Sequence, residues 1–148
     1  GFKLILDTSA DFVPDLLKYR PYLIKPNDEE LAEWFSLINP SLEEIKDCGR
    51  KLLEKGAENV LVSLGEKGAI LFTPTETIHV TAPKGEVVNT ACAGDTLLAT
   101  FVGSQLLGLS DEQALIKAVA AGSSTAFRPG LTDFSDVPTL MQQIKRIS

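Results

Sequence analysis

The chain alternates short aliphatic runs with longer segments in which apolar residues recur every three or four positions. The short runs are typical of buried strands, and the longer segments are typical of amphipathic helices. Strands and helices that alternate in this way form a mostly parallel sheet with helices on both faces. We therefore predict an α/β fold, a three-layer α/β/α sandwich over residues 1–148. The predicted strands cover residues 3–6, 22–24, 60–62, 69–72 and 78–80.

Capping patterns mark where two of the helices begin. Ser41 is followed three residues later by Glu44, and Ser110 by Gln113, a spacing in which each side chain caps the other residue's backbone amide. Gly56 is placed to end the first of these helices. The predicted helices cover residues 11–19, 31–38, 42–55, 94–107, 111–127 and 137–147, with prolines at 14 and 138 in first turns.

Charge and hydropathy exclude two classes of partner. The net charge is −6, whereas binding to nucleic acid over a wide surface needs an excess of Lys and Arg. Hydrophobic residues make up 44% of the chain, yet no apolar run is long enough to cross a bilayer, and no signal peptide is visible. The composition predicts a cytoplasmic protein without a nucleic-acid or membrane partner.

The cysteines and the single histidine carry no metal or disulfide pattern. Cys48 and Cys92 are spaced neither for a zinc site nor for a disulfide framework, so we predict two reduced thiols. His79 lies in a short strand with alternating polarity, which predicts a half-exposed surface side chain.

Residues 87–96 carry the pattern with the clearest chemistry. A β-branched run leads into Cys92, Ala93, Gly94 and Asp95, and an apolar helix follows. The first amides of a helix have no partner within it, and small residues let a ligand approach them, so this turn could hold an anion. Asp95 could then act as a general base beside a transferring phosphoryl group. The residues leave open the simpler explanation, a carboxylate that stabilises the positive end of a helix.

Two earlier segments also have both a structural and a functional interpretation. Asn27 and Glu30 have the spacing of a helix start, and the same residues could lie near phosphates and a magnesium ion. Gly65 and Gly68 fit a turn between two strands, and their small size would also let a nucleotide approach the backbone.

These three segments, in this order, resemble the ribokinase-like (PfkB) family of sugar kinases. That family has an Asn-x-x-Glu motif, a strand that ends in a Gly-x-x-Gly turn, and a small-Ala-Gly-Asp motif whose aspartate is the catalytic base. The sequences Lys25-Pro26-Asn27 and Leu6-Asp7-Thr8-Ser9 are most similar to the phosphosugar branch, which contains 1-phosphofructokinase and tagatose-6-phosphate kinase. The resemblance covers the chain from about residue 3 to the last helix.

The resemblance implies ATP, Mg²⁺ and a role for each matched residue. Asp95 is the implied base, and the preceding residues of its turn form the anion site. Glu30 is implied to hold Mg²⁺ largely through water. The other implied site residues are Cys92, Ala93 and Gly94 at the anion site, Lys25, Asn27, Ser63, Gly65 and Gly68 along the nucleotide, and Pro83, Val119 and Gly122 around the adenine.

The resemblance also implies a longer protein. Family members are about twice this length, so the chain is expected to be the carboxy-terminal part of a kinase, without the amino-terminal sugar-binding half and lid. The isolated chain is then expected to be inactive, and the lid could build a homodimer in the complete protein.

Two residues depart from the family pattern. Cys92 replaces a glycine, and its Cβ would be strained if this position requires a positive φ. Ala10 also stands where relatives often have glycine, and it bears on a loop.

The predicted function is the ATP-dependent phosphorylation of a sugar phosphate, with fructose 1-phosphate converted to fructose 1,6-bisphosphate. Tagatose-6-phosphate kinase and 6-phosphofructokinase are the alternatives within the family. A nucleotide-binding fragment without catalytic activity is the alternative of another class.

Overall fold

The structure, a computed structural model, describes residues 3–6, 13–90 and 92–147. Five strands form one sheet in the order β1-β2-β3-β4-β5. The first three are parallel, with Ile5 opposite Leu23 and Ile24 opposite Val60, as predicted. The strands are β1 (Ile5–Leu6), β2 (Leu23–Ile24), β3 (Val60–Ser63), β4 (Ala69–Phe72) and β5 (Thr77–Val80).

The α-helices are α1 (Asp28–Trp34), α2 (Leu42–Glu54), α3 (Ala93–Leu106), α4 (Asp111–Ala126) and α5 (Val137–Met141). The segment predicted as the first helix is a 3₁₀ helix over Val13–Tyr19. Residues 11–12 of that predicted helix lie outside the described residues. Residues 7–10, which the family resemblance uses, also lie outside them. No helix in the described ranges is long and apolar enough to span a membrane.

The chain divides into two compact units, which we describe separately. The first comprises residues 1–64 and 70–77, and the second comprises residues 65–69 and 78–148. The core of the first unit gathers aliphatic side chains from the strands and from α1 and α2. Gly49 of α2 lies against the ring of Phe72, since a Cβ built on Gly49 would be 2.4 Å from that ring.

Two helices of the first unit begin and end through local chemistry. In α2, the Ser41 side chain accepts from the Glu44 amide and the Glu44 side chain accepts from the Ser41 amide, as predicted. The predicted extension of α1 to residue 38 is wrong. Just after the helix, Ser36 has a left-handed backbone with φ 54, and the Leu37 amide donates to the Ala32 carbonyl. This capping motif ends the helix and changes the direction of the backbone. Ile38 is consequently 90% exposed.

In the second unit, α3 packs against α4, and most of the buried residues of α4 have small side chains. Ser110 and Gln113 form the predicted capping box of α4. The predicted last helix is wrong beyond Met141. Residues 145–147 instead pair with β5, where Arg146 lies opposite Val80 in an antiparallel bridge and the Ile147 amide donates to the His79 carbonyl at 2.8 Å.

His79 does not have the half-exposed position that alternation predicted. Its side chain is buried, and Nε2 lies 3.3 Å from the carbonyl oxygen of Lys67. The neighbouring Ile78 and Val80 are also buried, so β5 is covered on both faces and alternation does not report its exposure.

Candidate functional site

In the first unit, the ends of β2 and β3 bring two of the predicted site residues together. Asn27 and Ser63 form a parallel bridge just after the ladder of these strands, and the Ser63 amide donates to the Pro26 carbonyl at 3.1 Å. The carboxyl ends of neighbouring parallel strands are where α/β proteins bind ligands. This edge of the sheet is therefore a candidate ligand position.

Asn27 and Glu30 form the helix start that their spacing predicts. The Glu30 amide donates to Asn27 Oδ1 at 2.7 Å, and the Asn27 amide donates to Glu30 Oε1 at 3.0 Å. The structural explanation of this motif is thus confirmed, and it is compatible with a second role toward a ligand.

Glu30 offers a single carboxylate for a cation at this position. No group of three or more His, Cys, Asp or Glu side chains among the described residues could hold a metal ion. Mg²⁺ commonly keeps several waters and binds through one or two carboxylates and the phosphates of a substrate. A magnesium ion bound largely through water fits what Glu30 provides.

Lys25 lies at the end of β2 and is only 7% exposed. Its backbone amide donates to the Leu6 carbonyl at 3.2 Å, which continues the pairing of β1 with β2. The contact with the nucleotide that the resemblance implies for this side chain stays a prediction.

In the second unit, the turn at Gly65–Lys67 is a short 3₁₀ helix, closed by a hydrogen bond from the Gly68 amide to the Gly65 carbonyl. Gly65 has φ 60 and Gly68 has φ 93, so both adopt left-handed conformations that favour glycine. A Cβ on Gly68 would lie 1.9 Å from the carbonyl oxygen of Val80, whereas a Cβ on Gly65 would meet no described atom within 4 Å. Packing thus explains Gly68, and the surface of the turn at Gly65 is open.

The predicted anion site lies at the start of α3, where the backbone is left-handed just before the helix. Cys92 precedes the helix with φ 64 and ψ −3, the left-handed conformation that the sequence analysis identified as costly for a residue with a Cβ. Among the described residues, the Cys92 side chain makes no capping hydrogen bond to α3. The Ala93 amide donates to the Thr90 carbonyl at 3.3 Å, so the turn itself uses one of the predicted anion donors. Gly94 and Asp95 follow in the first turn, where amides lack acceptors within the helix.

Asp95 is exposed in this first turn. Its carboxylate is thus accessible to a substrate, as a general base must be.

Cys92 is exposed as well, whereas Cys48 is buried in α2, and both cysteines are free thiols, as predicted. Burial raises the pKa of the Cys48 thiol.

The three residues that the resemblance implies around the adenine are all buried in the second unit. These residues are Pro83, Val119 and Gly122. Gly122 lets α4 approach the start of α3, since a Cβ there would lie 3.1 Å from the Ala93 carbonyl oxygen. Packing of α4 against α3 therefore accounts for this glycine, and an adenine contact remains a prediction.

A polar network that was not predicted from the sequence supports the start of α3. It runs through the hydroxyl groups of Thr96, Ser124, Thr125 and Thr132. The available signal was the run Ser123-Ser124-Thr125 inside an otherwise alanine-rich helix, where hydroxyl groups need partners once they are buried.

An arginine holds the loop that follows α4. The Arg128 guanidinium pairs with the carboxylates of Asp133 and Asp136, each at 3.1 Å, and Arg128 Nε donates to the Ser124 carbonyl. Hydrogen bonds from the Ser135 hydroxyl and amide, together with Arg128, lower the pKa of Asp133 to about 2. The loop is therefore tied to the end of α4 by charged groups.

Comparison with known proteins identifies the family. The model of the pfkB family carbohydrate kinases matches residues 2–139. The chain belongs to this family. A D-tagatose-1-phosphate kinase of Bacillus licheniformis is 54% identical over 144 residues, which is 97% of this chain and 47% of that protein. A 1-phosphofructokinase of Bacillus subtilis is 37% identical over 143 residues, 97% of this chain and 47% of that protein.

The solved structures confirm the ribokinase-like α/β fold. The Arabidopsis thaliana ribokinase, solved with ribose and ATP, is 31% identical and has a TM-score of 0.83 over 96% of this chain and 48% of the ribokinase chain. The chain thus spans about half the length of the relatives that it matches.

Proposed function

We propose that this pfkB-family chain is the carboxy-terminal, catalytic and nucleotide-binding part of a kinase that phosphorylates a ketohexose phosphate with ATP. The observation that carries the proposal is the left-handed turn at Cys92, which starts α3 and leaves Asp95 exposed in the first turn. This turn supports both an anion site and a base, the two groups that phosphoryl transfer requires of a protein at its reacting centre.

In this proposal, Asp95 accepts the proton of the sugar hydroxyl that attacks the γ-phosphate. The amides of Gly94 and Asp95 donate to the oxygens of the transferring group, where charge develops. Because the amides are fixed by the helix before the reaction, they need little reorganisation in the transition state. The positive end of α3 adds to the same stabilisation.

The nucleotide roles follow from the family and are compatible with the local geometry of each unit. In the first unit, Lys25, Asn27 and Ser63 contact the nucleotide. In the second unit, the backbone at Gly65 and Gly68 lies against ATP, with Pro83, Val119 and Gly122 near the adenine. Mg²⁺, held through water by Glu30, would neutralise phosphate charge when bound.

The names of the relatives favour a 1-phosphate as the substrate. The Bacillus licheniformis protein is named for tagatose 1-phosphate and the Bacillus subtilis protein for the reaction of 1-phosphofructokinase. Tagatose and fructose differ only in the configuration at C4, so one site could accept either sugar. We therefore propose both sugars as candidate substrates. Fructose 1-phosphate is the substrate predicted from the sequence, and tagatose 1-phosphate is favoured by the 54% identity to the Bacillus licheniformis protein.

Steady-state kinetics of the longer protein with four sugar phosphates test the proposal. We expect kcat/KM for fructose 1-phosphate or tagatose 1-phosphate to exceed that for fructose 6-phosphate and tagatose 6-phosphate by at least about 100-fold, because a misplaced phosphate leaves buried polar groups without partners. Preference for a 6-phosphate would replace the substrate assignment with one of the alternatives. Binding of ATP without transfer to any of the four would favour the non-catalytic interpretation. A homodimer and a cytoplasmic location stay predictions.

A further inference from the structure

A directed chain of hydrogen bonds runs from the loop after α4 to the turn that starts α3. The Thr132 amide donates to Thr125 Oγ1 at 3.2 Å, and Thr125 Oγ1 donates to Thr96 Oγ1, also at 3.2 Å. Thr96 Oγ1 in turn donates to the carbonyl oxygen of Cys92 at 2.9 Å. This series of hydrogen bonds therefore ends at Cys92, the residue with the left-handed conformation.

Each hydroxyl in this chain has its donor and acceptor roles fixed. Thr125 is fully buried, so its hydroxyl has no access to solvent. Because it donates to Thr96, the single proton of the Thr96 hydroxyl is left for the Cys92 carbonyl. Buried networks in which every member is satisfied make a local structure rigid.

The far end of the network is anchored by charge. Ser124, also fully buried, lies 2.6 Å from the Thr132 hydroxyl and donates to Asp136, which pairs with Arg128. Charged hydrogen bonds are stronger than neutral ones. Thr132 is thus held in place, and its amide keeps a fixed direction toward Thr125.

We propose that Thr125 is a positioning residue for Asp95. Its hydroxyl orients Thr96, and Thr96 holds the Cys92 carbonyl with both its amide and its hydroxyl, each at 2.9 Å. The turn that carries Asp95 then stays in a left-handed conformation that is unfavourable for a residue with a Cβ. This inference rests on the proposed role of Asp95 as the base.

The test compares Thr125→Val with Thr125→Ser in the longer protein. The valine variant keeps the shape and loses the hydroxyl, whereas the serine variant keeps the hydroxyl. For Thr125→Val we expect hydrogen exchange in residues 93–97 to become at least about fivefold faster at the hydrogen-bonded amides of Ala93 and Thr96. We also expect kcat to fall about tenfold with KM for ATP within about twofold, because a shifted base affects the chemical step. Thr125→Ser is expected to restore both values to within about twofold of the parent protein.

Two further variants keep the result interpretable. Ser104→Ala removes a buried hydroxyl elsewhere on α3 and is expected to change neither exchange at residues 93–97 nor kcat. Thr96→Val breaks the same series of hydrogen bonds at a less buried residue and is expected to have the same effects on exchange and on kcat. It provides the test if Thr125→Val does not fold.

Unchanged exchange at residues 93–97 in Thr125→Val would overturn the proposal. Faster exchange with unchanged kcat would also overturn it, provided that Asp95→Asn is inactive. Normal turnover of Asp95→Asn would instead remove the proposed function, and the exchange rates would still report whether Thr125 holds the turn.

Discussion

Replacing Asp95 with asparagine is expected to lower kcat of the longer protein by at least about 100-fold, because the amide cannot accept the proton of the attacking hydroxyl. KM for ATP should stay within about threefold, since the loss falls on the chemical step. Steady-state kinetics with a sugar 1-phosphate and ATP would measure both parameters.

Asp111→Asn is the matched control for this variant. Asp111 lies in the first turn of α4, so it stabilises a helix start as Asp95 could in α3. Loss of that effect costs about 0.3–1 kcal/mol of stability at either position. If Asp95 acted only on its helix, both variants would lose similar stability and both would retain near-normal kcat, which would contradict its assignment as the base.

Gly68→Ala is expected to destabilise the chain by roughly 3 kcal/mol. The new Cβ would lie 1.9 Å from the Val80 carbonyl oxygen, and the residue would have to hold φ 93. A backbone oxygen cannot move aside as a flexible side chain can, so the turn or β5 would have to shift. Urea unfolding measures the loss in the free energy of unfolding.

Gly65→Ala separates the backbone cost from the collision. Gly65 has φ 60, but its Cβ would have no described atom within 4 Å. Only the left-handed conformation is then unfavourable, and we expect a loss of about 1 kcal/mol. Equal losses in the two variants would show that the approach of Val80 does not constrain this turn.

Elements set by local chemistry were predictable from the sequence. The capping boxes at Ser41 and Ser110 located the starts of α2 and α4 to the residue, because both partners of each box lie within four positions. The end of α1 and the end of the chain were not predictable in this way. The first depends on a left-handed serine, and the second depends on pairing between Arg146 and Val80, which are far apart in the sequence.

In the candidate site, too, some features could be predicted from the sequence and others depend on residues that only the fold brings together. The pairing of Asn27 with Ser63 follows the general rule that residues after neighbouring parallel strands meet at one edge of the sheet. The role of Thr125 could not be predicted, because its partners Thr96 and Thr132 come from different elements. From the sequence, strain at Cys92 depended on whether its position has a positive φ. The structure shows that it does.

The most direct test of the anion site at the start of α3 is the alkylation of Cys92 with and without ATP·Mg²⁺. Cys48 serves as the internal reference, because it is buried and its raised pKa leaves less of the reactive thiolate. We expect the exposed Cys92 to react at least about tenfold faster than Cys48, and saturating ATP·Mg²⁺ to slow Cys92 at least about fivefold. Mass spectrometry of the alkylated peptides measures both rates. Fast labelling of Cys92 that saturating ATP·Mg²⁺ does not change would contradict the placement of the phosphates at this turn.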